Sequence, residues 1–331
     1  MRHKRITIFG GSGFIGRYLV KRLCSDGWEV RVAVRDYEAG QFLKPLGDVG
    51  QVVIWQADIV NLDQVMSAID SADAVVNLVG VLFESKHYSF NRVHNNGIQN
   101  IAEASKAFDV KKLIHVSALG ASENSSSKYS QSKAKGEKFV SEIFQKVTIL
   151  RPSVIFGPDD GFFNMFAGLA RYLPFLPVFG CPVLPKVSLN SKTGISIDFY
   201  GAGGTKFQPV YVGDVADAII KCLNLKGTSG KTYDLGGPVI YSFKELMELM
   251  LSVINRNRVL VPIPFMVARV EAFFLQMFPN PILTCDQVEL LKYDNIVSND
   301  ANQFKQLGIK PKSAELILPE YLSRFARPSG R

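Results

Sequence analysis

The chain has 331 residues, 47% hydrophobic and 21% charged, with 38 lysines and arginines against 30 aspartates and glutamates for a net charge of +8. Apolar content near the globular average excludes a disordered or low-complexity chain, and the length suits two lobes or one large α/β unit. The positive charge is spread thinly rather than gathered into a stripe, which argues against a nucleic-acid binder and for a basic rim facing an acidic partner or anionic lipid.

The N-terminus reads Met1-Arg-His-Lys-Arg5 and then enters an apolar strand, without a secretory core or a small-residue cleavage site. Six strands are predicted in the first half, at 6–9, 30–34, 52–56, 74–78, 113–117 and 147–150. Helical patterns fall between them at 15–26, 62–68, 93–108 and 128–144. Strands rich in Val and Ile, each followed by a helix, predict a parallel sheet covered on both faces. After Arg151 the rhythm changes, and 175–204, rich in Pro and Gly, reads as an irregular surface insertion. A strand at 207–212 follows, then Asp214 as N-cap of a helix at 215–223, a last strand at 233–236, and helices near 242–254 and 265–278. The tail from Lys305 carries six basic and two acidic residues, either a solvated tail or a docking segment.

The expected fold is therefore α/β: a Rossmann-type doubly wound parallel sheet with a smaller C-terminal lobe. The domain reading gives 1–155 to a nucleotide-binding domain, with 205–237 returning to its sheet. Residues 156–204 and 238–331 form the smaller lobe, facing substrate or partner.

Gly10-Gly-Ser-Gly-Phe-Ile-Gly16 follows the first strand and opens the first helix, the context that gives a glycine motif meaning. Bare backbone at Gly10 and Gly13 admits a pyrophosphate, Gly16 lets the helix approach the sheet, and Ser12, Phe14 and Ile15 present amides of the helix N-terminus to the anion. The second strand ends Val34-Arg35-Asp36. An arginine there suits the 2′-phosphate of NADP(H), so NADP(H) is favoured over NAD(H), for which Asp36 is the available carboxylate. Arg17 is either a second phosphate contact or an exposed helix residue. Ligands sit outside the carboxyl ends of parallel strands, which places Asp58 and Ile59 beside the adenine and Asn77-Leu-Val79-Gly80 beside the second ribose.

These residues, together with Tyr129-Ser-Gln-Ser-Lys133, Arg151-Pro152-Ser-Val-Ile-Phe-Gly-Pro158 and Phe207-Gln-Pro-Val-Tyr-Val-Gly-Asp-Val215, resemble the extended branch of the short-chain dehydrogenase/reductase family. The resemblance implies that Tyr129 is the general acid or base. It implies that Lys133, one turn on, holds the nicotinamide ribose and lowers the tyrosine's pKa, and that Pro152 contacts the cofactor. The family's catalytic serine or threonine falls at Ala118, with Ser117 one residue early and a weak substitute. Its helix asparagine falls at His94, beside Asn95 and Asn96.

Those departures, with Arg35, make the chain similar to one atypical subgroup: the NADPH-binding accessory subunit of respiratory complex I and its bacterial relatives. What the resemblance implies is a structural nucleotide, complex I subunits as partners and a peripheral position on the cytoplasmic face of a bacterial inner membrane. The alternative is an active NADP-dependent oxidoreductase or epimerase, possible in quinone biosynthesis, whose small-molecule substrate the residues leave unnamed. The four cysteines are dispersed and read as reduced thiols, and His87 and His115 lack companions at ligand spacing. Asp159-Asp160 reads as turn residues and no metal is expected. The aromatic stripe at 265–278 reads as core, or as an interfacial anchor flanked by Arg269.

Overall fold

The computed structural model describes residues 4–85, 88–190 and 194–327, so His87 and the centre of the 181–204 stretch lie outside the described residues. The chain divides into two compact units, the first formed by 1–152, 212–236 and 297–311 and the second by 153–211, 237–296 and 312–331.

The first unit is built on β1 (Arg5–Phe9), β2 (Glu29–Val34), β3 (Val52–Gln56), β4 (Ala74–Asn77), β5 (Lys112–Val116) and β6 (Thr148–Pro152). With the strand Thr232–Leu235 they make one seven-stranded sheet in the order Thr232–Leu235, β6, β5, β4, β1, β2, β3. Every pairing in it is parallel. The order reverses between β1 and β4, where Phe9 pairs with Asn77, and that is where an open α/β sheet leaves a crevice for a ligand.

Four helices cross over between these strands: α1 (Phe14–Ser25), α2 (Leu62–Ile69), α3 (Gly97–Ala107) and α4 (Lys128–Ile143). Ile6, Ile8, Val30 and Val32 are essentially unexposed, as expected of strands covered on both faces. Asn61 caps α2 by accepting from the Gln64 amide, and Ser127 caps α4 by accepting from the Ser130 amide. The helix expected over 93–108 is not uniform, because Asn91–Asn96 is a π-turn and the α-helix begins only at Gly97. Such a bulge re-aims side chains and recurs at functional sites.

The second unit corrects the reading of 175–204 as irregular. Phe175–Phe179 pairs in parallel with Val259–Ile263, and Lys186–Asn190 pairs antiparallel with Gly194–Asp198. The stretch 207–212 is two short strands, Lys206–Phe207 and Val210–Tyr211, because Pro209 interrupts the run and lacks the amide a ladder needs. The helix then starts at Val212, so Asp214 is a buried first-turn residue rather than the N-cap. The tail is not simply solvated: the helix Ala314–Leu322 buries Ile317, Leu318, Tyr321 and Leu322 in this unit's core with Phe156, Phe163, Phe166 and Phe243. Among the described residues no helix is long and apolar enough to cross a membrane.

Candidate nucleotide site

β1 delivers the chain to Gly10, whose φ of +76° a side chain would strain. A Cβ at Gly10 would lie 3.1 Å from the Val79 amide nitrogen, so the loop runs against the end of β4. A Cβ at Gly13 would meet the Gly10 carbonyl at 3.2 Å, and one at Gly16 would meet the Gly11 carbonyl at 2.2 Å, a distance no backbone tolerates. Gly13 is the N-cap of α1 and offers no side-chain cap, and no acidic residue stands in the helix's first turn. The first-turn amides at Phe14 and Ile15 thus have no side chain competing for them, and Ser12 lies half-buried in the same loop. A loop with bare backbone at Gly10, Gly13 and Gly16 and an uncapped helix behind it fits a diphosphate.

At the end of β2, Val34 is buried, and its methyl groups lie against Gly40 of the following turn. Arg35 is exposed, with its guanidinium carbon 4.0 Å from the centre of the Tyr88 ring. Asp36 turns away: its Oδ1 accepts from the Glu38 and Ala39 amides at 3.0 and 3.3 Å, which caps the next turn. Asp58 is half-buried at the end of β3, where its Oδ1 accepts from the Val60 amide and its Oδ2 from the Tyr88 hydroxyl at 3.4 Å. Ile59 packs into the core under Gly97, and its carbonyl accepts from Asn100 Nδ2. Arg17 stacks on Phe42. Tyr88 was not among the residues singled out from sequence; a lone aromatic in a loop carries no spacing signal.

The other end of the crevice holds Tyr129 and Lys133, one turn apart on α4. Tyr129 is half-buried, its ring edge-on to Phe90 and His94. Lys133 is buried, and its Nζ donates to the Val116 carbonyl at 3.3 Å beside Gly80. Burial pushes the ammonium down to about 8, partly opposed by Glu137. Glu137 is itself held by Arg151, whose Nη2 donates to Oε2 at 2.5 Å. Burial pushes the Tyr129 phenol up to about 12, against the lowered value that the resemblance implies.

His94, on the π-turn, is fully buried. Its Nε2 accepts from the Val81 amide at 3.0 Å, so the ring proton sits on Nδ1 and is donated to Ser132 Oγ at 2.8 Å. Ser132 Oγ in turn donates to the Tyr129 carbonyl at 2.7 Å. Burial, with Lys133 nearby, pushes this histidine down to about 3 and keeps it neutral. Gly136 lets α4 close on the turn, because a Cβ there would lie 2.3 Å from the His94 carbonyl.

Asn77 donates through Nδ2 to His115 Nδ1 at 3.3 Å and accepts from the Val79 amide at 3.0 Å. His115 then carries its proton on Nε2, which is buried with no partner among the described residues, as is Ser117 Oγ. Asn95 Oδ1 is similarly buried and unpaired. Pro152 is buried at the end of β6, its carbonyl accepting from the Leu119 amide just past Ala118. Asp160 is buried and accepts from the Phe163 amide at 2.6 Å and the Tyr321 hydroxyl at 2.5 Å, which anchors a turn. Among the described residues no cluster of metal-ligating side chains occurs.

Comparison with known proteins agrees with this geometry. A model of the NAD dependent epimerase/dehydratase family matches residues 6–236. The mitochondrial NADH dehydrogenase (ubiquinone) 1 alpha subcomplex subunit 9 of Arabidopsis thaliana is 33% identical, over 97% of this chain and 78% of its own. The Mus musculus protein of the same name is 35% identical, over 96% and 79%. UDP-glucose 4-epimerase of Thermus thermophilus, solved in complex with NAD, superposes with a TM-score of 0.69 at 20% identity, over 97% of this chain and 98% of its own, a likeness of fold alone. The cofactor class that the family and the glycine cradle support is a nicotinamide dinucleotide. A match across most of the length, with relatives above 30% identity, has one meaning: this chain belongs to the NAD dependent epimerase/dehydratase family.

Proposed function

We propose that the chain is an NADPH-binding accessory subunit of a respiratory NADH dehydrogenase, in which the nucleotide is a structural element rather than a reagent. The observation that carries this reading is the state of the proton-transfer end. Ala118 stands where the resemblance places the catalytic serine or threonine, and His94, where it places the asparagine, is a neutral tether between Val81 and Ser132. An active acid–base pair needs its proton-relay partners in place. Tyr129 and Lys133 then serve to line the nicotinamide end, with Gly80, Val79 and Asn77 beside them.

The preference for the phosphorylated nucleotide rests on Arg35, an exposed guanidinium, and on Asp36, whose carboxylate is occupied as a cap. The assignment to a respiratory assembly draws on the relatives bearing that name. A position at the membrane that carries the assembly is supported by the helix Phe265–Leu275. Only Ala268 and Ala272 of that helix are buried, while Met266, Val270, Phe273 and Phe274 are exposed around Arg269.

The test is to load the full chain with NADPH and follow the nucleotide's absorbance with a quinone analogue present. The nucleotide is expected to stay reduced and bound. Sustained oxidation at ordinary enzymatic turnover, about 1–10³ per second, would overturn the reading in favour of an active oxidoreductase.

A further inference from the structure

From the adenosine end we infer that Tyr88 is a specificity-determining residue, a phenol platform that positions Arg35 for the 2′-phosphate. The inference rests on the NADPH reading above and deepens it. Arg35 stands at the exposed end of β2, makes no ion pair with a carboxylate among the described residues, and has one face covered by the Tyr88 ring at 4.0 Å. A guanidinium backed on one face keeps its edge N–H groups free for a phosphate and its second face free for a base. Left unsupported, so long a side chain would have to be ordered at the moment of binding.

The platform is itself anchored. The Tyr88 hydroxyl donates to Asp58 Oδ2 at 3.4 Å, and Asp58 is fixed through its amide, which donates to Gln64 Oε1 at 2.8 Å. The Tyr88 backbone exchanges hydrogen bonds with Ser85, its amide donating to Oγ at 3.3 Å and its carbonyl accepting from the Ser85 amide at 3.0 Å. Support therefore runs from the first turn of α2 through Asp58 and Tyr88 to the cation. The role of Tyr88 follows from where the chain before the π-turn places the ring.

The experiment titrates nucleotide-stripped full chain with NADPH and with NADH by calorimetry. The wild type is expected to prefer NADPH. Tyr88→Leu should reduce that preference about 3- to 10-fold, the worth of a cation–π contact, with NADH affinity unchanged. Tyr88→Phe keeps the ring and should stay within about 2-fold of wild type. Arg35→Ala should abolish the preference, and adding Tyr88→Leu to it should change nothing further. Tyr88→Gln supplies a second ringless variant if Tyr88→Leu fails to fold. A wild type without preference overturns the NADPH reading and this inference together. An intact preference overturns the inference alone in three cases: the ringless variants keep it, they bind NADPH more tightly, or Tyr88→Leu weakens NADPH equally with and without Arg35.

Discussion

Gly16→Ala is the sharpest perturbation of the cradle. An alanine Cβ would stand 2.2 Å from the Gly11 carbonyl oxygen and 2.4 Å from the Gly11 carbonyl carbon and Cα, all of it backbone. Relief requires α1 and the loop to part by roughly 1 Å, since carbon contacts settle near 3.5–4.0 Å. Overpacking of this kind costs about 1–3 kcal/mol, whereas alanine in the first turn of α1 recovers at most about 1 kcal/mol relative to glycine. The nucleotide-free protein should therefore lose little, with Tm falling by a few degrees at about 2–4 °C per kcal/mol. Bound nucleotide is another matter, because it adds about 4 kcal/mol at a thousandfold excess over Kd only while the loop keeps its shape. Thermal melts with and without NADPH are the assay. Gly161→Ala, with nothing within 4 Å of the added Cβ, is the control and should keep the full increment. A Gly16→Ala protein with an undiminished NADPH increment would refute the reasoning about the cradle.

Three further outcomes follow from the site and the surface. Lys133→Met should raise nucleotide-free stability by about 1–3 kcal/mol at pH 7, because the buried ammonium is pushed down to about 8 and must be charged there. The gain should shrink as pH rises from 8 toward the unfolded value of 10.5, and NADPH binding should weaken; urea melts against pH measure the first and calorimetry the second. His94, held at about 3, binds its proton more weakly folded than unfolded, so its contribution is complete above about pH 6.5 and is lost as pH falls toward 3. His94→Asn should thus flatten the acid limb of stability between pH 6 and 4.5 by up to about 1.4 kcal/mol per pH unit, and an identical slope in both proteins would contradict the assignment. Phe273→Ser with Phe274→Ser should leave the melting temperature within about 2 °C, as surface changes do, because both rings are more than half exposed. The same pair should reduce recovery with anionic vesicles in a sedimentation assay, and unchanged recovery would remove the interfacial role of that helix.

What was legible in the sequence was what local chemistry enforces. Gly10, Gly13 and Gly16 announce a cradle because backbone crowds all three positions, at 2.2 Å from a Cβ at Gly16, and Gly10 has a positive φ. The strands were legible because a parallel sheet buried on both faces writes Val and Ile at consecutive positions, and Arg35 and Asp36 were placed by counting to the end of one such strand. Long-range consequences were not legible. That Asp36 caps its own turn, that Lys133 turns to the Val116 carbonyl and that His94 takes the amide of Val81 all depend on how the chain closes around them in three dimensions. The π-turn at Asn91–Asn96 escaped because a single inserted residue leaves the helical periodicity of the flanking stretch intact. The pairing of Lys186–Asn190 with Gly194–Asp198 escaped because these short, partly polar strands sit among Pro and Gly residues that read as loop. The helix Ala314–Leu322 was hidden by the basic residues around it and by Pro319 within it.

The most direct test of the account is the identity of the nucleotide that the full-length protein carries through purification. Denaturing the purified chain and analysing the supernatant by mass spectrometry should release NADPH in about one-to-one ratio with protein, still reduced. Release of NADH, or of no dinucleotide from a folded protein that also fails to bind added NADPH, would contradict the claim that Arg35 and the glycine loop hold the phosphorylated cofactor.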